Sequence, residues 1–277
     1  MRVAVMAYEG CLASGVSGFA DALAVGNHLA GREIFRVRII GASESAIRGF
    51  REAPVPVDAT LAATAASGAV WDVVFVPPAF GVPGSLSDLA PWLRSAHAGG
   101  ALVCAACAGV FALAEAGILH GREATTHWAL AREFRQRFAS ARLDVERIVI
   151  DGGDYVCAAG VTAYFDLALG LIARFVSPET AAACAKTLLL DPGRSSQVPY
   201  MRLLAPVSHG DAAIAAAQAW MEDNIQRPLE SKVLAEAAHL GERTFLRRFK
   251  RATGKTPKDY VRALRAEFAK QIGRAHV

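Results

Sequence analysis

Residues 101–111 read Ala-Leu-Val-Cys-Ala-Ala-Cys-Ala-Gly-Val-Phe, and the fold class can be inferred from this segment. A short apolar run that suits a buried strand gives way, around Cys107 and Gly109, to the start of a helix. A residue at such a junction lies at the carboxyl edge of a parallel sheet, where open α/β proteins bind ligands. The stretch therefore predicts an α/β domain with a site centred on Cys107.

The segments around this junction repeat the same alternation of strand and helix. Strands are predicted at residues 2–8, 35–40, 71–78, 101–104, 122–126, 145–150 and 155–158, and helices at 16–29, 86–96, 109–116, 162–175 and 178–189. This alternation predicts an α/β fold with a mostly parallel sheet that is covered on both faces.

Composition limits the class of protein. With 277 residues, 53% hydrophobic and 20% charged, the chain fits two globular domains and not a disordered protein. Apolar runs are too short to span a bilayer, and no signal-peptide pattern opens the chain, so we expect no membrane partner. The five cysteines are odd in number and scattered, which favours free thiols and a cytoplasmic location.

The positive charge is concentrated in the last quarter of the chain. Residues 211–277 hold 13 Lys and Arg against 8 Asp and Glu. A local excess of this kind is typical of a module that meets a polyanion.

Residues 240–253, Leu-Gly-Glu-Arg-Thr-Phe-Leu-Arg-Arg-Phe-Lys-Arg-Ala-Thr, carry much of that charge. An apolar helix at 233–240, a turn at Gly241 and a basic helix with Phe245, Leu246 and Phe249 turned inward predict a helix-turn-helix. The second helix of this motif enters the major groove of DNA. The candidate DNA-binding residues are Arg243, Thr244, Arg247, Arg248, Lys250 and Arg251. The alternative is a solvated basic face on an ordinary helical bundle.

Between the two modules, residues 191–210 are rich in Pro, Gly and Ser and follow no period, so we interpret them as a linker. The expected domains are therefore residues 1–190 and residues 211–271.

Cys107 has several interpretations. The helix N-terminus behind it is expected to lower the thiol pKa, and His127 follows another short strand that would end at the same edge of a parallel sheet. A Cys–His pair is the minimum set for nucleophilic acyl chemistry. Cys107 is alternatively a small buried hydrophobic residue, or part of a C-x-x-C motif with Cys104. Because Cys104 would lie inside the strand and no second pair exists, we expect no metal and no cofactor.

The run from Cys104 to Trp128 resembles the PfpI-like superfamily, which has a class I glutamine amidotransferase-like fold, and within it the sensor half of GlxA-type AraC-family regulators. The resemblance implies a parallel-sheet amidotransferase-like sandwich with a pocket for a small effector. The candidate pocket residues are Cys107, Ala108, Gly109 and His127. Catalytic members of the superfamily take an acid from the loop after the first strand. Here Glu9 comes too early in that loop, so we expect no enzyme.

The run from Leu234 to Arg265 is similar to the AraC-type DNA-binding domain, which has two helix-turn-helix motifs joined by a long helix. Residues 211–271 correspond to the first motif and the joining helix only. Residues 272–277 read as a translated sequencing adapter, and we interpret them as an artefactual tail.

Together these features predict a transcriptional regulator whose amidotransferase-like domain senses a small metabolite or mediates dimerisation, with a small all-α helix-turn-helix domain that binds promoter DNA. A homodimer is expected from the resemblance. One alternative is a PfpI-like cysteine-dependent enzyme acting on a small carbonyl or amide substrate. Another is a sensor that dimerises but binds DNA weakly, because half of the DNA reader is missing.

Overall fold

The structure, a computed structural model, describes residues 1–41, 46–84, 86–201 and 210–274. Contacts between Cα atoms divide the chain into two units, Met1–Val198 and Pro199–Val277. Part of the predicted linker (202–209) and part of the predicted tail (275–277) lie outside the described residues. Within the described ranges, none of the helices has both the length and the apolar character that a bilayer span requires.

The first unit alternates strands with helices. Its strands are β1 (Arg2–Ala7), β2 (Arg36–Gly41), β3 (Ile47–Arg48), β4 (Pro54–Val55), β5 (Ala59–Thr60), β6 (Val73–Val76), β7 (Leu102–Ala106), β8 (Glu123–Ala124), β9 (Arg142–Leu143), β10 (Val149–Asp151) and β11 (Tyr155–Ala158). Its helices are α1 (Ala13–Leu29), α2 (Leu61–Ala66), α3 (Leu86–Ala98), α4 (Val110–Glu115), α5 (Ala131–Arg137), α6 (Tyr164–Phe175) and α7 (Pro178–Thr187).

A seven-stranded sheet organises this unit, in the order β10-β11-β7-β6-β1-β2-β5. The pairs within it are parallel except for β10 with β11. The central strands β6 and β7 are buried along their whole length, as apolar runs in a sheet covered on both faces should be. The helices form two groups, since α1, α6 and α7 pack on one another and α3 packs on α4. The predicted α/β fold with a mostly parallel sheet is confirmed.

One predicted strand lies elsewhere. The segment predicted at 122–126 contributes only β8, which pairs with β9 in a separate two-stranded sheet. The expectation that His127 follows a strand of the main sheet was therefore wrong. The first unit also continues past residue 190, because the backbone amide of Ile148 donates to Ser195 O (3.0 Å) and that of Gln197 donates to Glu146 O (2.8 Å).

The second unit is helical. It contains α8 (Ala212–Asp223), α9 (Ser231–Ala237), α10 (Glu242–Thr253) and α11 (Pro257–Arg274). Its core includes Phe245 and Phe249, both fully buried, with the ring of Phe249 edge-on to Tyr260 at 5.2 Å. Between α9 and α10 the left-handed residue is His239 (φ 53°), whereas Gly241 is the N-cap of α10 with an ordinary φ of −64°. The predicted turn is present, but its sharpest bend is at His239.

A close backbone approach packs the start of α4 against the end of β6. A Cβ placed on Gly109 would lie 2.6 Å from Val76 O and 2.7 Å from Pro77 O. Gly109 itself has an ordinary φ of −55°, so it is the lack of a side chain, and not an unusual backbone angle, that this position requires. Rigid carbonyl groups cannot rotate away as a flexible side chain would.

Gly109→Ala should lower the free energy of unfolding by about 1–3 kcal/mol, since the added methyl group overpacks a backbone contact. The matched control is Gly170→Ala in α6, where an added Cβ meets nothing within 4 Å. This control should raise the free energy of unfolding by roughly 0.5–1 kcal/mol, because alanine loses less chain entropy in a helix. Urea denaturation measures both, and equal effects of the two substitutions would contradict the packing argument.

Candidate functional site

The predicted elbow forms at Cys107. The residue follows β7 directly, begins a 3-10 turn over Cys107–Gly109, and has φ 55°, a left-handed conformation that is rare for a side chain other than Gly or Asn. Such strain persists only where the surrounding structure imposes it, and it clusters at functional sites. The chain therefore places Cys107 at the carboxyl edge of the sheet in a strained turn.

The environment of the Cys107 thiol is opposite to the predicted one. The side chain is 3% exposed, and its Sγ lies 3.9 Å from Ala79 O. Burial raises the pKa of Cys107 to about 12, although a hydrogen bond from the Ala108 backbone acts in the other direction. The expectation of a lowered pKa was wrong, because the desolvation of the thiolate outweighs the pull of the helix N-terminus. Cys107 is a neutral thiol at pH 7, and Ala108 and Gly109 behind it are buried.

His127 follows the elbow in the chain, but its side chain caps the next turn and does not contact the Cys107 thiol through a hydrogen bond. Its Nδ1 accepts a hydrogen bond from the Ala129 amide (3.1 Å), which makes it the N-cap of the turn Trp128–Leu130. Burial lowers the pKa of His127, so the imidazole is neutral at pH 7. Among the interactions of the described residues, Cys107 and His127 share no hydrogen bond. The described residues therefore lack the thiol–imidazole hydrogen bond of an activated Cys–His pair.

Thr126 connects the loop before His127 to the elbow. Its Oγ1 donates to Cys107 O at 2.7 Å, and the side chain is fully buried. On the other side, Gln197 is 4% exposed, donates from Nε2 to Thr126 O (2.9 Å) and accepts at Oε1 from the Trp128 amide (3.1 Å). Gln197 lies in the segment predicted as linker, and its partners are about 70 residues away in the chain. The sequence contains no local signal for such a contact.

The first loop adds polar groups near the elbow. Tyr8 donates from its hydroxyl to Pro77 O at 2.6 Å, and burial, with smaller effects from Cys11 and Cys107, raises its pKa. Glu9 is exposed, and its Oε1 lies 3.5 Å from the Arg48 amide. The buried groups around Cys107 are thus uncharged at pH 7.

The candidate DNA-binding helix is α10, and its exposed face is basic. Arg243, Arg247, Lys250 and Arg251 are exposed and recur at helical spacing, while Phe245 and Phe249 anchor the opposite face. Thr244 is half-buried at the margin of the basic face. Leu246, which we expected to face inward, is 38% exposed beside the arginines. That expectation was wrong because the two phenylalanines already fill the core side of the helix.

Arg248 also departs from the prediction. Its guanidinium donates from Nε and Nη2 to the two carboxylate oxygens of Asp211, at 2.8 and 2.6 Å. Asp211 is in turn the N-cap of α8, accepting from the Ile214 amide. The ion pair joins α10 to the start of α8, so the Arg248 guanidinium serves the packing of the helices and is not directed to DNA.

The elbow and the parallel sheet agree with a comparison of the whole sequence. The profile of the DJ-1/PfpI family matches residues 1–174. The chain belongs to the DJ-1/PfpI family. The predicted PfpI-like first domain is confirmed.

Several curated relatives are regulators. The transcriptional regulator CdhR of Pseudomonas aeruginosa is 31% identical over 186 residues, covering 66% of this chain and 55% of CdhR. The regulator GbdR of the same species is 26% identical over 257 residues, covering 91% of this chain and 68% of GbdR. The chain therefore spans about half to two-thirds of these relatives. An isonitrile hydratase of Pseudomonas putida is 34% identical over 114 residues, covering 40% of this chain and 49% of that enzyme.

A solved structure supports the fold of the first domain. The structure of an AraC-family transcriptional regulator from Pseudomonas putida matches with a TM-score of 0.60 and 19% identity, over 68% of this chain and 98% of that chain. At this level of identity the likeness concerns the fold alone.

The raised pKa of Cys107 has a kinetic consequence. Because the thiolate is the reactive form, the folded protein should carry on the order of a thousandfold less Cys107 thiolate at pH 8 than an ordinary cysteine with a pKa of about 8.5. Alkylation of Cys107 by iodoacetamide, followed by mass spectrometry of its peptide, should be correspondingly slow and should accelerate up to pH 10 and beyond. The same peptide in denaturant is the control. An alkylation rate that levels off below pH 8 would instead show that the pKa of Cys107 is lowered.

Proposed function

We propose that this chain comprises the sensor domain and the first DNA-binding motif of a transcriptional regulator. Residues 1–190 would bind a small effector near Cys107 and His127, and residues 211–271 would bind promoter DNA through α10. The observation that carries the proposal is the exposed basic face of α10, held outward by buried Phe245 and Phe249 in a helix-turn-helix. Relatives named as regulators support it, including GbdR, whose match extends over the second unit.

We propose DNA contacts by Arg243, Thr244, Arg247, Lys250 and Arg251. The first two lie near the N-terminus of α10, where recognition helices reach base edges. Arg247, Lys250 and Arg251 extend the basic face for phosphate contacts, which give an affinity that depends on salt. Leu246 adds an apolar group next to these cations, suited to the methyl group of a thymine.

We further propose that the first domain senses and does not turn over its ligand. Nucleophilic chemistry needs a thiolate and a base within hydrogen-bond reach. The Cys107 thiol has a pKa of about 12, and the Nδ1 of His127 is taken by the Ala129 amide. These features argue against the alternative of a cysteine-dependent enzyme acting on a small carbonyl or amide substrate, and leave Cys107 and His127 as residues near which an effector would bind.

Hydrogen bonds that lead from Cys107 to the end of the first unit support a sensor role. The Cys107 carbonyl is held by Thr126, the Thr126 carbonyl by Gln197, and Gln197 immediately precedes the end of the first unit at Val198. A ligand that shifts the 125–128 loop would change the anchoring of the segment that leads to the DNA-binding module. We also propose a homodimer, as expected for a regulator of this kind.

Neighbouring arginines on α10 provide a test of DNA binding. Arg247→Ala should weaken binding to a fluorescein-labelled duplex about threefold to tenfold. It should also reduce the slope of log affinity against log salt concentration by about 1, while the free energy of unfolding stays within about 0.5 kcal/mol of the parent value. Arg248→Ala should instead lower the melting temperature, because it removes the guanidinium that neutralises the largely buried Asp211 carboxylate.

Fluorescence anisotropy between 50 and 200 mM salt and thermal melts separate the two effects. A parent chain without salt-dependent affinity for any duplex would contradict the DNA-binding proposal. So would an Arg247→Ala variant that binds as tightly as the parent.

Gln197 provides a test of this chain of hydrogen bonds. Gln197→Ala leaves the Trp128 amide and the Thr126 carbonyl without partners and should cost about 1–3 kcal/mol of stability. Hydrogen exchange at residues 125–130 should accelerate in this variant more than elsewhere in the unit. The matched control is Ser196→Ala, whose hydroxyl donates to Glu146 O and not to this loop. Equal hydrogen-exchange rates at residues 125–130 in both variants would show that Gln197 does not anchor this loop.

A further inference from the structure

At the amino ends of β1 and β2, the sheet edge opposite Cys107, lies a concave basic surface, which we call the arginine groove. It is a cavity of about 390 Å³ lined by Arg2, Arg36 and Arg38 together with Ser67 and Trp71. Arg2 is the register partner of Arg36 on the neighbouring parallel strand, and Arg38 follows two residues later on the same face. The groove therefore presents three guanidinium groups on one side of the sheet.

The groove is separate from the Cys107 site. Arg2 and Arg36 begin β1 and β2, whereas Cys107 follows the last residue of β7, which runs in the same direction. A strand of five or six residues spans roughly 15–20 Å, so the two sites lie at opposite edges of the sheet. A ligand at one edge does not touch the other.

The charges in the groove are only partly neutralised. Arg36 binds Glu33 through Nε and Nη2 (3.0 and 2.6 Å), and Arg38 donates from Nη2 to the backbone oxygen of Asp58 (2.9 Å). The Arg2 side chain has no hydrogen bond or ion pair within the described residues, and the lining of the groove includes no carboxylate. Planar guanidinium forks with free donors match the geometry of a carboxylate or a phosphate.

Trp71 gives the groove an apolar side. Its indole is 7% exposed and also lines a neighbouring cavity of about 300 Å³, where Trp92 and Val70 contribute further apolar surface. Its Nε1 has no hydrogen-bond partner among the described residues, and a buried donor without an acceptor is unfavourable. Cavities of this size accommodate a small organic molecule.

We propose that the arginine groove binds a small organic anion, with its carboxylate or phosphate on Arg2 and Arg38 and its apolar part against Trp71. The site is independent of DNA binding and of the effector pocket at Cys107. It would give the first domain a second ligand at the amino edge of the sheet. Arg36, already bound to Glu33, would contribute its remaining donors.

The probe for this site is 8-anilinonaphthalene-1-sulfonate, which joins an anionic group to a planar apolar body. The parent chain should bind it saturably, and the double substitution Arg2→Gln with Arg38→Gln should weaken binding about tenfold or more, since two charge-assisted contacts are lost. Ser67→Asp, which places a carboxylate in the groove, should weaken it similarly. The control is Arg132→Gln with Arg135→Gln, an equal change of charge on exposed positions of α5, which should change affinity less than about twofold.

Competition identifies the chemistry of the ligand. Phenyl phosphate and benzoate should displace the probe, whereas inorganic phosphate, which lacks the apolar part, should do so at least tenfold less well. Thermal melts of each variant establish that it is folded. Probe binding that survives both the double substitution and Ser67→Asp, or that is not saturable in the parent chain, would overturn the proposal. If inorganic phosphate displaced the probe as well as phenyl phosphate does, the proposed contact between the ligand's apolar part and Trp71 would be wrong.

Discussion

The contact of Gly109 with the carbonyl groups of Val76 and Pro77 is the constraint on which the site depends. It brings the turn that begins α4 against the end of β6 more closely than a side chain at this position would allow. Between the end of β7 and this contact, Cys107 takes the left-handed conformation that turns the chain. The same turn exposes the Cys107 carbonyl to Thr126 and buries the thiol beneath Ala79. The backbone approach at Gly109 and the left-handed turn at Cys107 therefore act together in shaping the elbow.

The state of the Cys107 thiol shows how magnitudes decide between two opposing effects. A helix N-terminus stabilises a nearby anion by about 0.3–1 kcal/mol in common cases, and α4 is only six residues long. A pKa raised from 9.0 to about 12 corresponds to about 4 kcal/mol against the thiolate. Burial therefore wins by a wide margin. An elbow cysteine becomes a nucleophile only when a charged or hydrogen-bonding partner offsets its desolvation, and here His127 is engaged in capping the next turn.

Local sequence patterns predicted the strands and helices of this fold but not the contacts between distant segments. The apolar runs of β1, β6 and β7 and the helical spacing of α6 and α10 depend on neighbours a few residues away, so the alternation of strands and helices was legible in the sequence. The role of Gln197, the capping by His127 and the pairing of Arg248 with Asp211 depend on where distant segments meet. Leu246 illustrates the same limit, since hydrophobicity alone did not show that Phe245 and Phe249 already complete the core.

The polar contacts at the end of the first unit fit the proposed sensor role better than that of a rigid spacer. A spacer needs no buried polar groups at its boundary, because each one must find a partner or weaken the fold. Here a 4% exposed glutamine holds the loop that contacts Cys107 and stands next to Val198, the last residue of the first unit. Burying an amide at that position makes the boundary sensitive to small movements of the loop, since hydrogen bonds weaken steeply with misalignment. The proposed switch between an effector site and a DNA-binding module would require such sensitivity.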